Sequence, residues 1–298
     1  MAAVSLGLTL YFDCNFLRHD WVLFMSNIHL YQIYYSDATK AAWDSDYLEL
    51  DNRRNERPDW REYWPIRNFL LQAELKTEEN YYGFFSTKFK ARTRLSKQQV
   101  LDYMALRPDA DVHLFSPLWD LSALFQNVFE QGNFFHPTLT AVAQEFLKEI
   151  GWKVDLSRLI TDSRNTVFCN FFVAKPAFWK EWLTLGEQLF TIAENPAHPL
   201  SQKLNTACVY GEQVVPVKVF IMERLATLIL ATQEKWRINA FNPFALSSSS
   251  TQFSPFHLEA VLSDALKIAY KNHGNEEYLQ AFFHLRKSID QRLALNNE

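Results

Sequence analysis

Two carboxylates lie in apolar surroundings where acid–base chemistry could use them. Glu223 falls inside the apolar stretch "FIMERLATLIL", where a charge is costly unless it is paired or placed at a cavity. Asp162 follows the apolar pair Leu159–Ile160 and precedes a predicted strand. We predict Glu223 as a catalytic carboxylate and Asp162 as a general base or metal ligand. The alternatives are a structural ion pair for Glu223 and an Asp-led turn for Asp162.

A basic stretch directly follows another predicted strand and could hold a diphosphate. The segment "STKFKARTRLSK", residues 86–97, contains the cations Lys88, Lys90, Arg92, Arg94 and Lys97. Lys and Arg donate charge-assisted hydrogen bonds to phosphate. The seven glycines are too dispersed for a phosphate loop or a dinucleotide fingerprint, so side chains would have to hold any phosphate. We predict Lys88 and Arg92 as the phosphate ligands, with a solvated basic loop as the alternative.

An Asp-x-Asp pair, Asp109 and Asp111, occurs in "RPDADVHLF". Such a pair can hold Mg²⁺ or Mn²⁺ against a nucleotide diphosphate. A metal-binding pair is expected at the carboxyl end of a strand, whereas this pair precedes its strand. The alternative is a polar entry into that strand. A divalent metal is therefore the one cofactor that the sequence suggests, without establishing it.

Aromatic rings interleaved with polar groups suit the recognition of a sugar. In "PDWREYWPIRNFL", Glu62 lies between Trp60 and Trp64, and carboxylates accept hydrogen bonds from hydroxyls. In "TVFCNFFVAKPAFWKEW", the ligand candidates are Asn170, Lys175 and Trp179. The alternative in both segments is that the rings belong to the core.

Composition excludes several classes of protein. The chain has 298 residues, 48% of them hydrophobic, and its net charge of −4 argues against a general nucleic-acid binder. Its three cysteines are far apart, which indicates a reduced, cytoplasmic protein without a disulfide framework. The signatures of the common zinc sites and serine hydrolases are absent from the sequence. No apolar stretch reaches the length that spans a bilayer.

The candidate residues follow segments in which an apolar run leads through a polar hinge into a helical pattern. One such strand, in "IHLYQIYYSDATKAAW", ends at Tyr34 and Tyr35, and Tyr34 is a further ligand candidate. Alternating strands and helices predict an α/β fold with a mainly parallel mixed sheet flanked by helices. Ligands bind beyond the carboxyl ends of such strands, so we expect Ser36, Ser86, Ser116 and Lys175 to converge at one edge.

Four segments divide the chain. Residues 1–24 form an N-terminal extension, and Met25 is an alternative start of translation. Residues 25–241 form the α/β domain, with a long helix from Pro216 to about Thr232 that contains Glu223. Residues 242–255 are a predicted linker. Residues 256–298 are a predicted helical hairpin that packs on the main domain or mediates oligomerisation.

Taken together, these segments resemble bacterial glycosyltransferase-like proteins of capsule and O-antigen gene clusters, which have a GT-A-type, Rossmann-like fold. The resemblance covers roughly residues 28–236, and it rests mainly on "NFFVAKPAFW" and the "ERL" helix. It implies transfer of a sugar from a nucleotide-diphosphate donor to a saccharide or lipid-linked acceptor. It also implies that Asn170 and Lys175 face a sugar and that Glu223 lines the site.

The expected function is therefore a glycosyltransferase of surface-polysaccharide biosynthesis in the cytoplasm or at the inner face of the membrane. Its partners would be the nucleotide sugar and the acceptor, without nucleic acid. One alternative is a non-catalytic relative that binds a carbohydrate or nucleotide. The other is an interaction scaffold that uses the C-terminal hairpin.

Overall fold

A computed structural model describes residues 24–73, 75, 78–210 and 213–295, and the predicted extension of residues 1–24 lies almost wholly outside them. The strands are β1 (Ile28–Tyr34), β2 (Leu48–Asp51), β3 (Tyr81–Ser86), β4 (Val112–Leu114), β5 (Phe172–Ala174), β6 (Ala207–Tyr210), β7 (Gln213–Pro216) and β8 (Ile238–Ala240). The helices are α1 (Asp37–Ala41), α2 (Tyr63–Gln72), α3 (Phe89–Thr93), α4 (Lys97–Ala105), α5 (Trp119–Ala123), α6 (Val128–Phe135), α7 (Leu139–Glu149), α8 (Pro176–Glu194), α9 (Ser201–Leu204), α10 (Val217–Met222), α11 (Leu225–Thr232), α12 (His257–His273) and α13 (Glu276–Leu295).

Six strands form the central sheet in the order β2-β1-β3-β5-β4-β8, and β6 pairs with β7 separately. The β1–β2, β1–β3 and β4–β8 pairs are parallel, whereas β5 runs antiparallel to both β3 and β4. The predicted α/β class and mixed sheet are confirmed. The expectation of a mainly parallel sheet is wrong, because β5 makes two of the neighbouring pairs antiparallel.

Beside the end of β4, the chain enters β5 from the opposite direction. The Phe115 amide donates to the Phe171 carbonyl at 2.8 Å, and the Phe168 amide donates to Ser116 Oγ at 2.8 Å. These contacts fix the start of β5 next to the end of β4. The Ser116 hydroxyl thereby joins these two segments.

Apolar residues cover both faces of the sheet, because successive side chains of a strand point to opposite sides. In β3, Phe84 packs with Trp179 and Trp182 of α8, and Phe85 packs on the other face with Met104 of α4. The helices therefore enclose the sheet from both sides.

The predicted long helix over residues 216–232 is broken between α10 and α11. Arg224 lies at the break, and its guanidinium donates to the carbonyls of Phe220 and Val128, at 2.7 Å each. The bond to Phe220 gives a partner to a carbonyl near the end of α10. Glu223 consequently lies at a junction between two helices rather than in a helix interior.

The C-terminal helices α12 and α13 pair with each other, and α12 also packs on α5. The predicted linker before them is held against the domain, since Ser249 and Ser254 hydrogen-bond to the buried Asp120 and Phe253 is fully buried. Among the described residues, no helix is long and apolar enough to cross a membrane.

Candidate functional site

The carboxyl edge of the sheet, where β1, β3 and β4 end, gathers several of the predicted residues. Ser36 follows β1 and caps α1, accepting a hydrogen bond from the Thr39 amide. Ser86 ends β3, and Ser116 follows β4. Asn170 lies at this same edge, because β5 begins here. The convergence predicted for the three serine hinges is therefore present.

Lys175 lies at the opposite edge, so the expectation that it joins the other hinges is wrong. The physical reason is the reversed direction of β5, which ends where β4 begins. There the Lys175 amide donates to the Asp111 carbonyl at 3.0 Å, and Lys175 Nζ pairs with Asp111 Oδ1 at 3.0 Å. Lys175 is also the N-cap residue of α8, with Pro176 at the first helical position.

The Asp-x-Asp pair forms an ion-pair cluster at that opposite edge. Asp111 binds Lys175 and Arg237, and Asp109 pairs with Arg107 at 3.3 Å. Despite its burial, hydrogen bonds from Arg237 and Lys175 lower the pKa of Asp111 to about 2. Both carboxylates of the pair are therefore engaged by cations of the chain. No group of three or more metal-ligating side chains occurs in the described part of the chain.

Asp162 is fully buried and holds the C-terminal hairpin to the domain. Its carboxylate accepts from Arg164 at 3.0 Å and pairs with Lys271 of α12 at 3.2 Å. These two cations overcome the effect of burial and lower the pKa of Asp162 to about 2. A carboxylate whose pKa is this low, and which is paired with two cations, is a poor proton acceptor near neutral pH.

Two aromatic candidates are structural. Trp179 is fully buried, stacks on Phe172 at 4.6 Å and donates from Nε1 to the Tyr82 carbonyl at 2.9 Å. Tyr34 is fully buried at the carboxyl edge, and its hydroxyl donates to Glu49 at 2.6 Å. Burial and this bond raise the pKa of Tyr34 to about 12. Neither side chain is free to turn its polar atom to a ligand without losing a partner.

Three further candidates, Glu62, Arg92 and Glu223, interact electrostatically with Cys169, which lies at the carboxyl edge. Arg92 Nη1 lies 3.7 Å from Cys169 Sγ. The thiol lies within electrostatic range of Glu223 and Glu62 as well, although burial is the main cause that raises its pKa to about 12. We call Glu62, Arg92, Cys169 and Glu223 the edge cluster. It is the candidate functional site.

Glu223 is the titratable centre of the edge cluster. Burial raises its pKa from 4.5 to about 7, and the negative charge of Glu62 raises it further, while Arg224, Arg61 and Arg92 oppose the shift. No hydrogen bond to its carboxylate occurs among the described residues. A partly exposed carboxyl group with a pKa near 7 can both accept and release a proton at neutral pH.

The backbone is unusual on both sides of the edge cluster. Cys169 and Asn170 have consecutive positive φ angles of 60° and 53°, and Arg61, next to Glu62, has a φ of 45°. Such conformations in non-glycine residues cost of order 1–3 kcal/mol and concentrate at functional sites. Asn170 is 6% exposed, and its Oδ1 has no hydrogen-bond partner among the described residues. This segment therefore holds a buried acceptor that its own chain does not satisfy.

Lys88 is the N-cap residue of the short helix α3, and Arg92 lies four residues later within that helix. Residues with this spacing share one helix face. Lys88 is exposed, and Arg92 is partly buried in the edge cluster. The pair can thus reach from solvent into the site.

Sequence reasoning missed Cys169 and Arg61. Cys169 adjoins the predicted Asn170, and Arg61 adjoins the predicted Glu62, but nothing in their residue types signals a positive φ. Asn and Gly are the residues that usually adopt this conformation.

None of the known protein families, curated proteins or solved structures compared with this chain matches it. The chemistry of the edge cluster must therefore be argued from its own geometry.

Proposed function

We propose that this protein is a glycosyltransferase that moves a sugar from a nucleotide-diphosphate donor to a saccharide or lipid-linked acceptor in surface-polysaccharide biosynthesis. The observation that carries the proposal is the electrostatic interaction of Arg92 with the half-buried Glu223, with Arg92 in contact with Cys169 at the carboxyl edge of the sheet. Open α/β sheets bind ligands at this edge. A phosphate-binding cation beside a carboxyl group with a pKa near 7 suits the departure of a diphosphate coupled to removal of a proton.

In the proposed reaction, Glu223 accepts the proton of the acceptor hydroxyl. The hydroxyl oxygen forms a bond to the anomeric carbon of the donor sugar, and the bond from that carbon to the diphosphate breaks. Lys88 and Arg92 stabilise the negative charge that develops on the diphosphate. Asn170 offers its unpaired Oδ1 to a sugar hydroxyl, and Glu62 keeps the pKa of Glu223 high.

The GT-A-type fold belongs to this proposal, and a mixed sheet enclosed by helices agrees with it. So does a location in the cytoplasm or at the inner face of the membrane, where nucleotide sugars and lipid-linked acceptors meet. The roles of Lys175 and Trp179 in the sugar site are not carried into the proposal, since both lie away from the edge cluster.

Nucleotide-sugar binding tests the phosphate-binding pair. Two charge-assisted hydrogen bonds are worth about 1.5–3 kcal/mol each, so Lys88→Ala/Arg92→Ala should weaken binding at least tenfold. Lys90→Ala/Arg94→Ala is the matched control, because it removes the same charges from exposed positions of the same segment. Calorimetric titration with a panel of nucleotide sugars gives the affinities. Equal losses in both double variants would assign the effect to net charge and would remove the pair from the site.

A second candidate, binding without turnover, is favoured by the engagement of Asp162 and Asp111 in ion pairs. Nucleotide release from the same panel, with a crude acceptor extract, separates the two functions. The proposed transferase releases nucleoside diphosphate, and Glu223→Gln abolishes release while it retains donor binding. Binding without release across the panel would support the non-catalytic alternative.

A further inference from the structure

Helix α12 presents apolar residues to solvent. Leu258, Val261 and Leu262 are 67%, 37% and 47% exposed, and Ala265 is exposed as well. With about 100° between successive residues, these positions and Ala269 lie along one side of the helix. We call this side the outer face of α12. Contiguous exposed apolar surface of this kind marks interaction sites.

The opposite side of α12 is buried although it is polar, and it fixes the rotation of the helix. Asp264 accepts from the Ser163 amide at 2.8 Å. Lys267 is fully buried, and its Nζ donates to the carbonyls of Ser122 and Phe125 at 2.8 Å each. Turning the outer face inward would break these bonds and leave buried polar groups unpaired. The outer face can therefore be covered only by something other than this domain's own core.

We propose that two copies of this chain associate through the outer faces of their α12 helices, antiparallel about a two-fold axis. The face is complementary to itself in this direction, because its large residues precede its small ones. Antiparallel pairing sets Leu258 opposite Ala269 and Leu262 opposite Ala265 of the second copy. Large residues then meet small ones, which lets two helices approach closely. Isologous interfaces require this kind of self-complementarity.

Electrostatics supports the same direction. Antiparallel pairing opposes the two helix dipoles. A membrane surface fits less well, since an interfacial helix carries Lys or Arg beside its apolar side. The two lysines of α12 are instead engaged within the chain, Lys271 by Asp162 and Lys267 by backbone carbonyls.

The proposed interface is small. A helix of 17 residues is about 25 Å long, and a strip about 10 Å wide covers about 250 Å² in each copy, against about 800 Å² in a standard interface. We therefore expect a weak, concentration-dependent dimer. This association does not depend on the proposed enzymatic activity.

Sedimentation velocity of the full chain from about 1 µM to about 500 µM tests the association. The average mass of the wild type should rise with concentration from 35.0 kDa toward twice that value. Leu258→Glu/Leu262→Glu should weaken association at least tenfold. Leu106→Glu should not change it, since Leu106 is 48% exposed and follows α4, outside the outer face of α12. Circular dichroism establishes that the variants are folded.

Three results would overturn the proposal. They are a wild type that stays monomeric throughout, a double variant that associates as the wild type does, and a monomeric wild type that binds anionic phosphatidylglycerol vesicles through these leucines.

Cysteine cross-linking tests the direction of pairing. In the antiparallel dimer the two-fold axis passes between positions 262 and 265, so Ala265→Cys lies next to its counterpart. Leu258→Cys lies about 16 Å from its counterpart along the axis, beyond the reach of a disulfide. Mild oxidation should therefore cross-link only Ala265→Cys, with the wild type as the control for native cysteines. Cross-linking of both variants would indicate parallel helices and overturn the antiparallel arrangement.

Discussion

Replacing Glu223 with glutamine tests the electrostatics of the edge cluster without any assumption about the substrate. Burial first, and the charge of Glu62 next, raise the pKa of Glu223 from 4.5 to about 7. A raised pKa in the folded protein contributes stability that is fully present below pH 4.5 and is lost as the pH rises through about 7. One pKa unit corresponds to about 1.36 kcal/mol, so the loss should be about 3 kcal/mol.

A glutamine side chain does not titrate, so the variant does not lose this stability as the pH rises. The unfolding free energy of Glu223→Gln minus that of the wild type should therefore become more positive by about 3 kcal/mol between about pH 4 and about pH 8. Urea denaturation of both proteins at a series of pH values measures this difference. The other titrating groups are common to both proteins and cancel.

Glu62→Gln provides the control for the cause of the shift. Without the like charge, the pKa of Glu223 should fall, and the loss of stability should occur at lower pH and be smaller. A difference between Glu223→Gln and the wild type that stays constant with pH would refute the assignment of a raised pKa. The role of Glu223 as a base would then lose its physical support.

Two further substitutions separate structural from functional roles. Asp162→Asn should lower the unfolding free energy by about 2–4 kcal/mol at neutral pH, because Lys271 and Arg164 lose a buried partner. This deficit should shrink as the pH falls from 3.8 toward about 2, because the wild-type carboxylate then becomes protonated as well. A deficit that stays constant over this pH range would contradict the ion-pair role of Asp162. Asn170→Gly should leave the unfolding free energy unchanged or raise it by up to about 1 kcal/mol, since glycine tolerates the positive φ. The same substitution should weaken donor binding at least tenfold. An unchanged affinity in calorimetric titration would remove Asn170 from the site.

Much of the fold could be predicted because local patterns report local structure. Apolar runs followed by polar hinges located β1, β3, β4 and β5, and the convergence of Ser36, Ser86 and Ser116 at one edge followed from them. The direction of β5 could not be predicted, since a short buried strand has the same apolar pattern in either direction. Contacts between residues far apart in sequence, such as Phe115 with Phe171, decide that direction.

The unpredicted direction of β5 also decides which of the predicted site residues lie where the sequence placed them. Arg92 follows β3, as the sequence indicates, whereas Glu223 was expected inside one long helix and lies at the junction of α10 and α11. Lys175 was misplaced because the reversal of β5 was not predicted, and it pairs with Asp111 at the far edge. Trp179 could not be distinguished from a ligand-binding ring by sequence, because an aromatic residue at a helix start serves either purpose.

The reversal of β5 also has a consequence for the site itself. A parallel β5 would have brought Lys175 to the carboxyl edge and placed Asn170 in the strand. With β5 reversed, Cys169 and Asn170 form the entry to the strand, next to Arg92. The backbone of this entry is strained, and the buried Oδ1 of Asn170 has no hydrogen-bond partner among the described residues. The strain and the unpaired acceptor together oppose folding by several kcal/mol. A ligand hydroxyl that donates to Asn170 would satisfy this acceptor, so the strained entry is where binding should stabilise the protein most.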